Sequence, residues 1–396
     1  MMRVLLLSLL MLLMPVRLWA QYGLKVAMEE ESKLVLSSYT GLDLVVVDSM
    51  ERDGDGFFVY EPILPKGMYV LDSDGVSIEF LSMGEPLSMR VEVAGDDCSV
   101  SFDASPENTR WMAYQRLRRQ FHYGKKNPEQ YHALIDSLVG NATDYAARLI
   151  RVDVDPQLQS FDFQDPAMIP TNVLTTKMVH FLEMSSDDFI KASDHILALA
   201  KVDVNSYAFA LEYLLKGFSA LGLSGVTDYL LNFPQLAEGE ITQEEGAMLQ
   251  RITEPYQMVK VGAKAPNVQG LTVDGKPYEL YASDASQILI VFWSVDCEYC
   301  HDFLVQIRKH LDLRKDYELV TFALADHKEE VVKELKKLRL HGYHFYDDDR
   351  WEGKAFLDYH VVSTPTVFLL DREKTIVSKP YNWEEFKQII EVRGNK

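Results

Sequence analysis

Cysteine is nearly absent, with three residues among 396, at positions 98, 297 and 300. So few cannot build a disulfide framework, and the chain must fold on apolar burial instead. Bases are in deficit, 40 against 60 acids, for a formal net charge of −20. A chain of that sign repels phosphate backbones, so nucleic acid is not an expected partner. Beyond the first 20 residues no stretch approaches 18 uninterrupted apolar residues. That excludes a later membrane helix and predicts a soluble mature protein. What is present is ordinary: 47% hydrophobic and 25% charged residues exclude a disordered chain or a collagen-like repeat. The length allows two or three domains.

Residues 1–20, MMRVLLLSLLMLLMPVRLWA, read as a leader. Arg3 precedes an apolar run from Val4 to Met14, Pro15 breaks it, and Ala20 is small enough for cleavage. This is the order of a secretory signal peptide, and the run is too short to span a bilayer comfortably. The mature chain is expected in an oxidising compartment.

The remainder divides by pattern into three domains. Residues 21–104 alternate short apolar runs with breakers such as Asp53-Gly54, Pro65-Lys66-Gly67 and Asp74-Gly75. That spacing predicts a small antiparallel β domain. Cys98 lies in it beside Asp96 and Asp97, an acidic setting expected to raise its pKa. Residues 105–258 carry apolar residues at helical spacing, starting at Ser105-Pro106, and predict an all-α middle domain. Its histidines (His122, His132, His180, His195) lack the spacing of a zinc site. Residues 252–264, ITEPYQMVKVGAK, read as a hinge-like connector. From 259 to 396 β and α patterns alternate, predicting an α/β domain with a mostly parallel sheet.

The chemistry concentrates at the end of the first apolar strand of that last domain, Val291-Phe-Trp-Ser-Val-Asp-Cys297-Glu-Tyr-Cys300. A C-x-x-C between a strand and a helix is a redox arrangement with a mechanical reason. The helix N-terminus offers unpaired N–H groups and a positive dipole end, and both stabilise a thiolate. The second cysteine, one turn later, can attack a mixed disulfide formed on the first. Separately, Ser363-Thr364-Pro365-Thr366 precedes the apolar strand VFLLD. A cis proline there would face the cysteine pair and free the preceding backbone for an extended substrate.

On these features, residues 262–396 resemble the thioredoxin fold, specifically the TlpA-like and ResA-like thiol–disulfide oxidoreductases of the bacterial periplasm. The matching stretches are VGAKAPNVQGLTVDGKPYEL (261–280), LIVFWSVDCEYC (289–300) and VVSTPTVFLLD (361–371). The upstream segments look like accessory domains that precede such modules in envelope proteins of Bacteroidetes-type bacteria. The resemblance implies that Cys297 is the nucleophile and Cys300 the resolving thiol. It also implies that Trp293 flanks the site and that Thr364 and Pro365 form the substrate-binding turn. It implies protein thiols and disulfides as partners, a membrane electron donor if substrates are reduced, and no metal or organic cofactor. The chain departs from the family where Val305, Val291 and Phe303 replace a proline and two acids that relatives carry. The stand-ins for proton handling are Asp296, Glu298, Asp302 and Asp326, none at a family position.

Three other readings stay open. Cys297-Glu-Tyr-Cys300-His301 satisfies the C-x-x-C-H of covalent haem attachment. Ser294-Val-Asp-Cys297 partly fits a peroxiredoxin-like thiol peroxidase, without its proline, since Ile290 stands there. The module could also be a binding scaffold with a static disulfide.

Overall fold

The computed structural model describes residues 22–394 apart from 30–32, 74, 95–96, 156–162, 164, 186–187, 233–241 and 312–316. The leader lies outside the described residues, as do Asp74 and Asp96. The chain forms two compact units that divide between Asp188 and Phe189, so helices fall in both.

In the first unit, β1 (Leu24–Met28), β4 (Phe58–Tyr60), β7 (Leu87–Ala94) and β8 (Asp97–Phe102) form one sheet in the order β4-β1-β7-β8. A second sheet runs β3 (Asp43–Glu51), β2 (Lys33–Thr40), β5 (Gly67–Ser73), β6 (Val76–Ser82). Alternate residues of both turn into one core: Leu24 and Val26, Leu34 and Leu36, Leu71, Phe80. All pairings are antiparallel except β1 with β7. Cys98 sits within β8 opposite Val93, not in a loop, and is exposed. Its pKa is raised, as expected, but desolvation is the cause and Arg119 opposes it. Four helices follow: α1 (Pro106–Gln120), α2 (Pro128–Val139), α3 (Tyr145–Val154) and α4 (Asn172–Met184). Ser105 caps α1 with Pro106 in the first turn, as its sequence signature predicts.

The second unit opens with α5 (Phe189–Ala200), α6 (Val204–Ala220), α7 (Ser224–Leu231) and α8 (Gln243–Met258). The stretch read as a connector from 252 is largely helix. Pro255 lies inside α8, and the burial of Leu249, Thr253 and Tyr256 holds the helix through it. Val259, next in the chain, is buried in the core of the α/β domain. Helix and buried core therefore occupy residues 252–259 of that stretch.

The α/β domain adds the hairpin β9 (Gln269–Leu271) and β10 (Pro277–Glu279). It continues with β11 (Gln287–Ser294), α9 (Glu298–Leu311), β12 (Tyr317–Leu324), α10 (Lys328–Leu338), β13 (Tyr343–Tyr346) and α11 (Lys354–Asp358). It ends with β14 (Thr366–Asp371), β15 (Ile376–Ser378) and α12 (Trp383–Gly394). Its sheet runs β13-β12-β11-β14-β15. The sheet is mixed: β14 alone runs against its neighbours β11 and β15, and the other four strands point the same way, as a mostly parallel sheet requires. The central strand β11 is buried on both faces. Ile288, Ile290 and Phe292 enter one core with Phe356, Tyr359 and Phe368. Leu289, Val291 and Trp293 enter the other with residues of α9, α10 and α12. This is the uninterrupted apolar run expected of a strand covered on both sides.

Candidate active site

Register brings the two motifs together. The antiparallel pairing of β11 with β14 sets Phe292 opposite Thr366. Chain leaving β11 towards Cys297 therefore runs beside chain entering β14 through Thr364 and Pro365. The Thr364–Pro365 peptide is cis. Cys297 Sγ lies 3.9 Å from the carbonyl oxygen of Thr364.

Cys297 and Cys300 are joined in a disulfide, with Cα atoms 5.2 Å apart. The turn before them is pinned from the sheet: Val295 N–H donates to the Leu324 carbonyl at 3.0 Å, and Cys297 N–H to the Ser294 carbonyl at 3.2 Å. Helix α9 starts at once, and the backbone N–H of Cys300 donates to Cys297 Sγ at 3.1 Å. That donor is one of the unpaired groups of the first helical turn, aimed at the sulfur that would carry negative charge on reduction. The two sulfurs differ in access. Cys297 is partly buried, whereas Cys300 is fully buried among Leu289, Trp293 and Phe303. A thiolate from outside can reach only the first.

The other sequence-assigned residues divide. Thr364 and Pro365 line a cavity that Tyr299, between the two cysteines, also lines, although neither cysteine does. Trp293 does not reach it. Its side chain is fully buried in the core beneath the site and packs edge-on against His301 at 5.9 Å. Direct contact with a substrate is closed to it, because its position on β11 points it under the sheet and not towards the turn. His301 is partly buried. Its Nε2 is buried and has no hydrogen-bond partner among the described residues. Val291 and Phe303, where relatives carry acids, are buried apolar core. Asp296, Glu298 and Asp302 are exposed around the pair. Asp326 is taken by an ion pair with Arg350 at 2.5 Å. None of the four lies beneath the disulfide as a buried proton acceptor.

Two contributors were not singled out in the sequence. Tyr299, between the cysteines, is exposed at the mouth of the cavity. The turn between α6 and α7 forms a further wall, through Ala220, Leu221 and Gly222. Gly222 and Ser224 in LGLSG advertise a turn, but nothing local advertises what the turn packs on.

The C-terminal module is a thioredoxin-like domain with a disulfide-bonded Cys-x-x-Cys at the head of its first core helix. In comparisons with known proteins, the model of the AhpC/TSA family matches residues 261–379. Among solved structures, the chain is similar to the thioredoxin domain of a thiol-disulfide oxidoreductase from Bacteroides vulgatus. The identity is 19%, covering 34% of this chain and 96% of that one, at a TM-score of 0.31. A thiol-disulfide oxidoreductase from Bacteroides fragilis is 17% identical over 33% of this chain and 98% of its own, also at 0.31. A thioredoxin-like protein from Bacteroides caccae is 16% identical over 64% of this chain and 95% of its own, at 0.39. No curated protein sequence matches the chain. Among the described residues, no helix is long and apolar enough to cross a membrane.

Proposed function

We propose that the protein is a thiol–disulfide oxidoreductase of the bacterial envelope, of the TlpA-like and ResA-like kind, acting on protein disulfides through Cys297 and Cys300. One observation carries the reading: a partly buried sulfur at a helix N-terminus stands over a fully buried one and faces the Thr364–Pro365 turn. In the reducing direction, the Cys297 thiolate attacks a substrate disulfide and one substrate thiolate leaves, taking a proton. The Cys300 thiolate then attacks Cys297 Sγ and expels the second substrate sulfur. Two electrons pass to the substrate and the Cys297–Cys300 disulfide remains. A dithiol donor must then reduce it, which in the cell implies a membrane electron donor. The leader, Met1 to Ala20, supports export across the inner membrane.

Carboxylates at Asp296, Glu298 and Asp302 surround the pair and disfavour a thiolate on Cys297. A less stable thiolate disfavours the reduced form, so the pair is a reductant or isomerase rather than a strong oxidant. Equilibration of the protein against glutathione, with Cys297→Ser as control, tests both points. The expected couple lies at about −200 to −300 mV, and a value near −120 mV contradicts the reducing direction. Replacing the three acids together (Asp296→Asn, Glu298→Gln, Asp302→Asn) raises the potential by about 20–30 mV. That corresponds to about 1 kcal/mol summed over exposed charges. An unchanged or lower potential contradicts the electrostatic argument. A disulfide that exchanges with no dithiol points to a binding scaffold.

The AhpC/TSA match supports a second reading, a thiol peroxidase. Against it, a peroxidatic thiolate needs cationic help, and the exposed charges beside Cys297 are acids. Fast consumption of hydrogen peroxide by the reduced protein, lost in Cys297→Ser, would favour the peroxidase.

A further inference from the structure

The α6–α7 turn is fastened to the segment that carries the cis proline. Ser363 Oγ donates to the Ala220 carbonyl at 3.0 Å, across 143 residues of sequence. Ser224 Oγ approaches the Lys379 carbonyl at 3.5 Å. Gly222 adopts φ +70°, and a Cβ built on it would stand 2.5 Å from Cβ of Tyr381. Behind them the Tyr256 ring of α8 meets His360 edge-on at 4.3 Å. Three close approaches hold the turn against the α/β domain.

The wall closes one side of a cavity of about 330 Å³, whose other side is the Val362–Val367 segment. That volume lies at the small end of sites that hold organic ligands, enough for one large side chain and part of its backbone. Its rim is apolar and wet: Leu221 is 64% exposed, Tyr299 55%, Tyr381 48% and Val362 38%. Four large apolar side chains left in water around one cavity mark a binding surface rather than chance exposure. The cavity floor is more polar, with His360 and Lys379, the latter's ammonium disfavoured by burial and supported by Asp228. Close to Tyr299 in the chain are the exposed acids Asp296, Glu298 and Asp302, none of which lines the cavity.

The occupant must bring a sulfur to Cys297. Among the described residues, the backbone N–H groups of Val362, Ser363 and Thr364 make no hydrogen bond, so the segment that walls the cavity carries a row of unused donors, whereas the Ser363 carbonyl already accepts from Thr366 Oγ1 at 2.7 Å. An extended chain satisfies such a row. Apolar side chains suit the rim, and the neighbouring acids repel a doubly carboxylated thiol such as glutathione.

We propose that the α6–α7 turn is the outer wall of the substrate cleft. The substrate it selects is an extended polypeptide carrying a large apolar side chain beside the reacting cysteine. This rests on the exchange reading above and adds a specificity determinant to it, with Leu221 as the residue that meets the substrate's apolar side chain.

The test uses the full-length protein, reduced and freed of dithiol. It is offered four disulfides: glutathione disulfide, and homodisulfides of short cysteine peptides flanked by Phe, by Ser or by Glu. Rates are read by acid quench and chromatography. The expected order is Phe above Ser above Glu and glutathione, with the Phe peptide at least tenfold faster than the Ser peptide. Leu221→Asp lowers the Phe-to-Ser ratio at least fivefold, and Leu221→Ala, which adds no charge, lowers it by less. Leu271→Asp changes an equally exposed leucine outside the cavity and leaves the ratio intact. A Phe-to-Ser ratio near one in the unaltered protein, or one that Leu221→Asp does not move, overturns the cleft assignment while exchange itself stands. Failure to reduce any of the four disulfides overturns the exchange reading, and the cleft's substrate with it.

Discussion

Cys297→Ser is expected to lose thiol–disulfide exchange by roughly a thousandfold or more, whereas Cys300→Ser is expected to stop halfway, as a stable mixed disulfide on Cys297. The asymmetry follows from access and from hydrogen bonding. Cys300 is fully buried, so in Cys297→Ser the remaining thiol cannot meet an external disulfide. Cys297 is partly exposed and receives the Cys300 N–H at 3.1 Å. That donor belongs to the backbone, so it survives replacement of the Cys300 side chain. The first attack therefore continues in Cys300→Ser, and only release fails. Intact mass spectrometry after incubation with a cysteine-peptide disulfide reads both results. One peptide adduct per chain is expected in Cys300→Ser and none in Cys297→Ser. The reverse pattern would exchange the two roles.

The second large effect concerns two glycines five residues apart along one helix and its turn. Gly222→Ala is expected to destabilise the second unit by about 2–5 kcal/mol. A left-handed backbone costs an alanine about 1–2 kcal/mol, and overlap with a packed neighbour adds about 1–3. The backbone there is at φ +70°, and the overlapping atom is Cβ of Tyr381, tied to its own main chain and unable to swing away. Gly217→Ala is expected to do the opposite. Gly217 lies within α6, and a Cβ built on it has nothing within 4 Å. The gain is about 0.5–1 kcal/mol from helix propensity alone. Urea unfolding of the two variants, followed by far-UV circular dichroism, separates them by direction. Equal destabilisation by both would mean that the α6–α7 turn is not held against Tyr381.

Much of the α/β domain was legible because its signals are local. Ile288 to Trp293 is an unbroken apolar strand, the helical spacing after Cys300 is regular, and Pro365 precedes VFLLD. Helix α1 could be placed from Ser105-Pro106 alone. Where local signals are weak or contradictory, the pattern misled. Pro255 marks a break by its own chemistry, since it removes a donor and clashes with the preceding turn. Burial of Leu249, Thr253 and Tyr256 nevertheless carries α8 through it. Strands β1, β2 and β8 are held by pairing with partners from other segments.

The candidate site shows the same division. Sequence alone determined that two cysteines open a helix directly after a buried strand, and that a proline introduces another such strand. Spacing and propensity act over a few residues and need no partner. Tertiary structure decided the rest. It set Thr364 beside Cys297 through the antiparallel register of β11 and β14, and it turned one sulfur outward and the other inward. It buried Trp293 beneath the site and stood Leu221 and Tyr381 at its rim. Those outcomes join residues more than 150 positions apart, Ser224 and Lys379 among them. Packing of whole elements chooses such neighbours, and no local pattern encodes them.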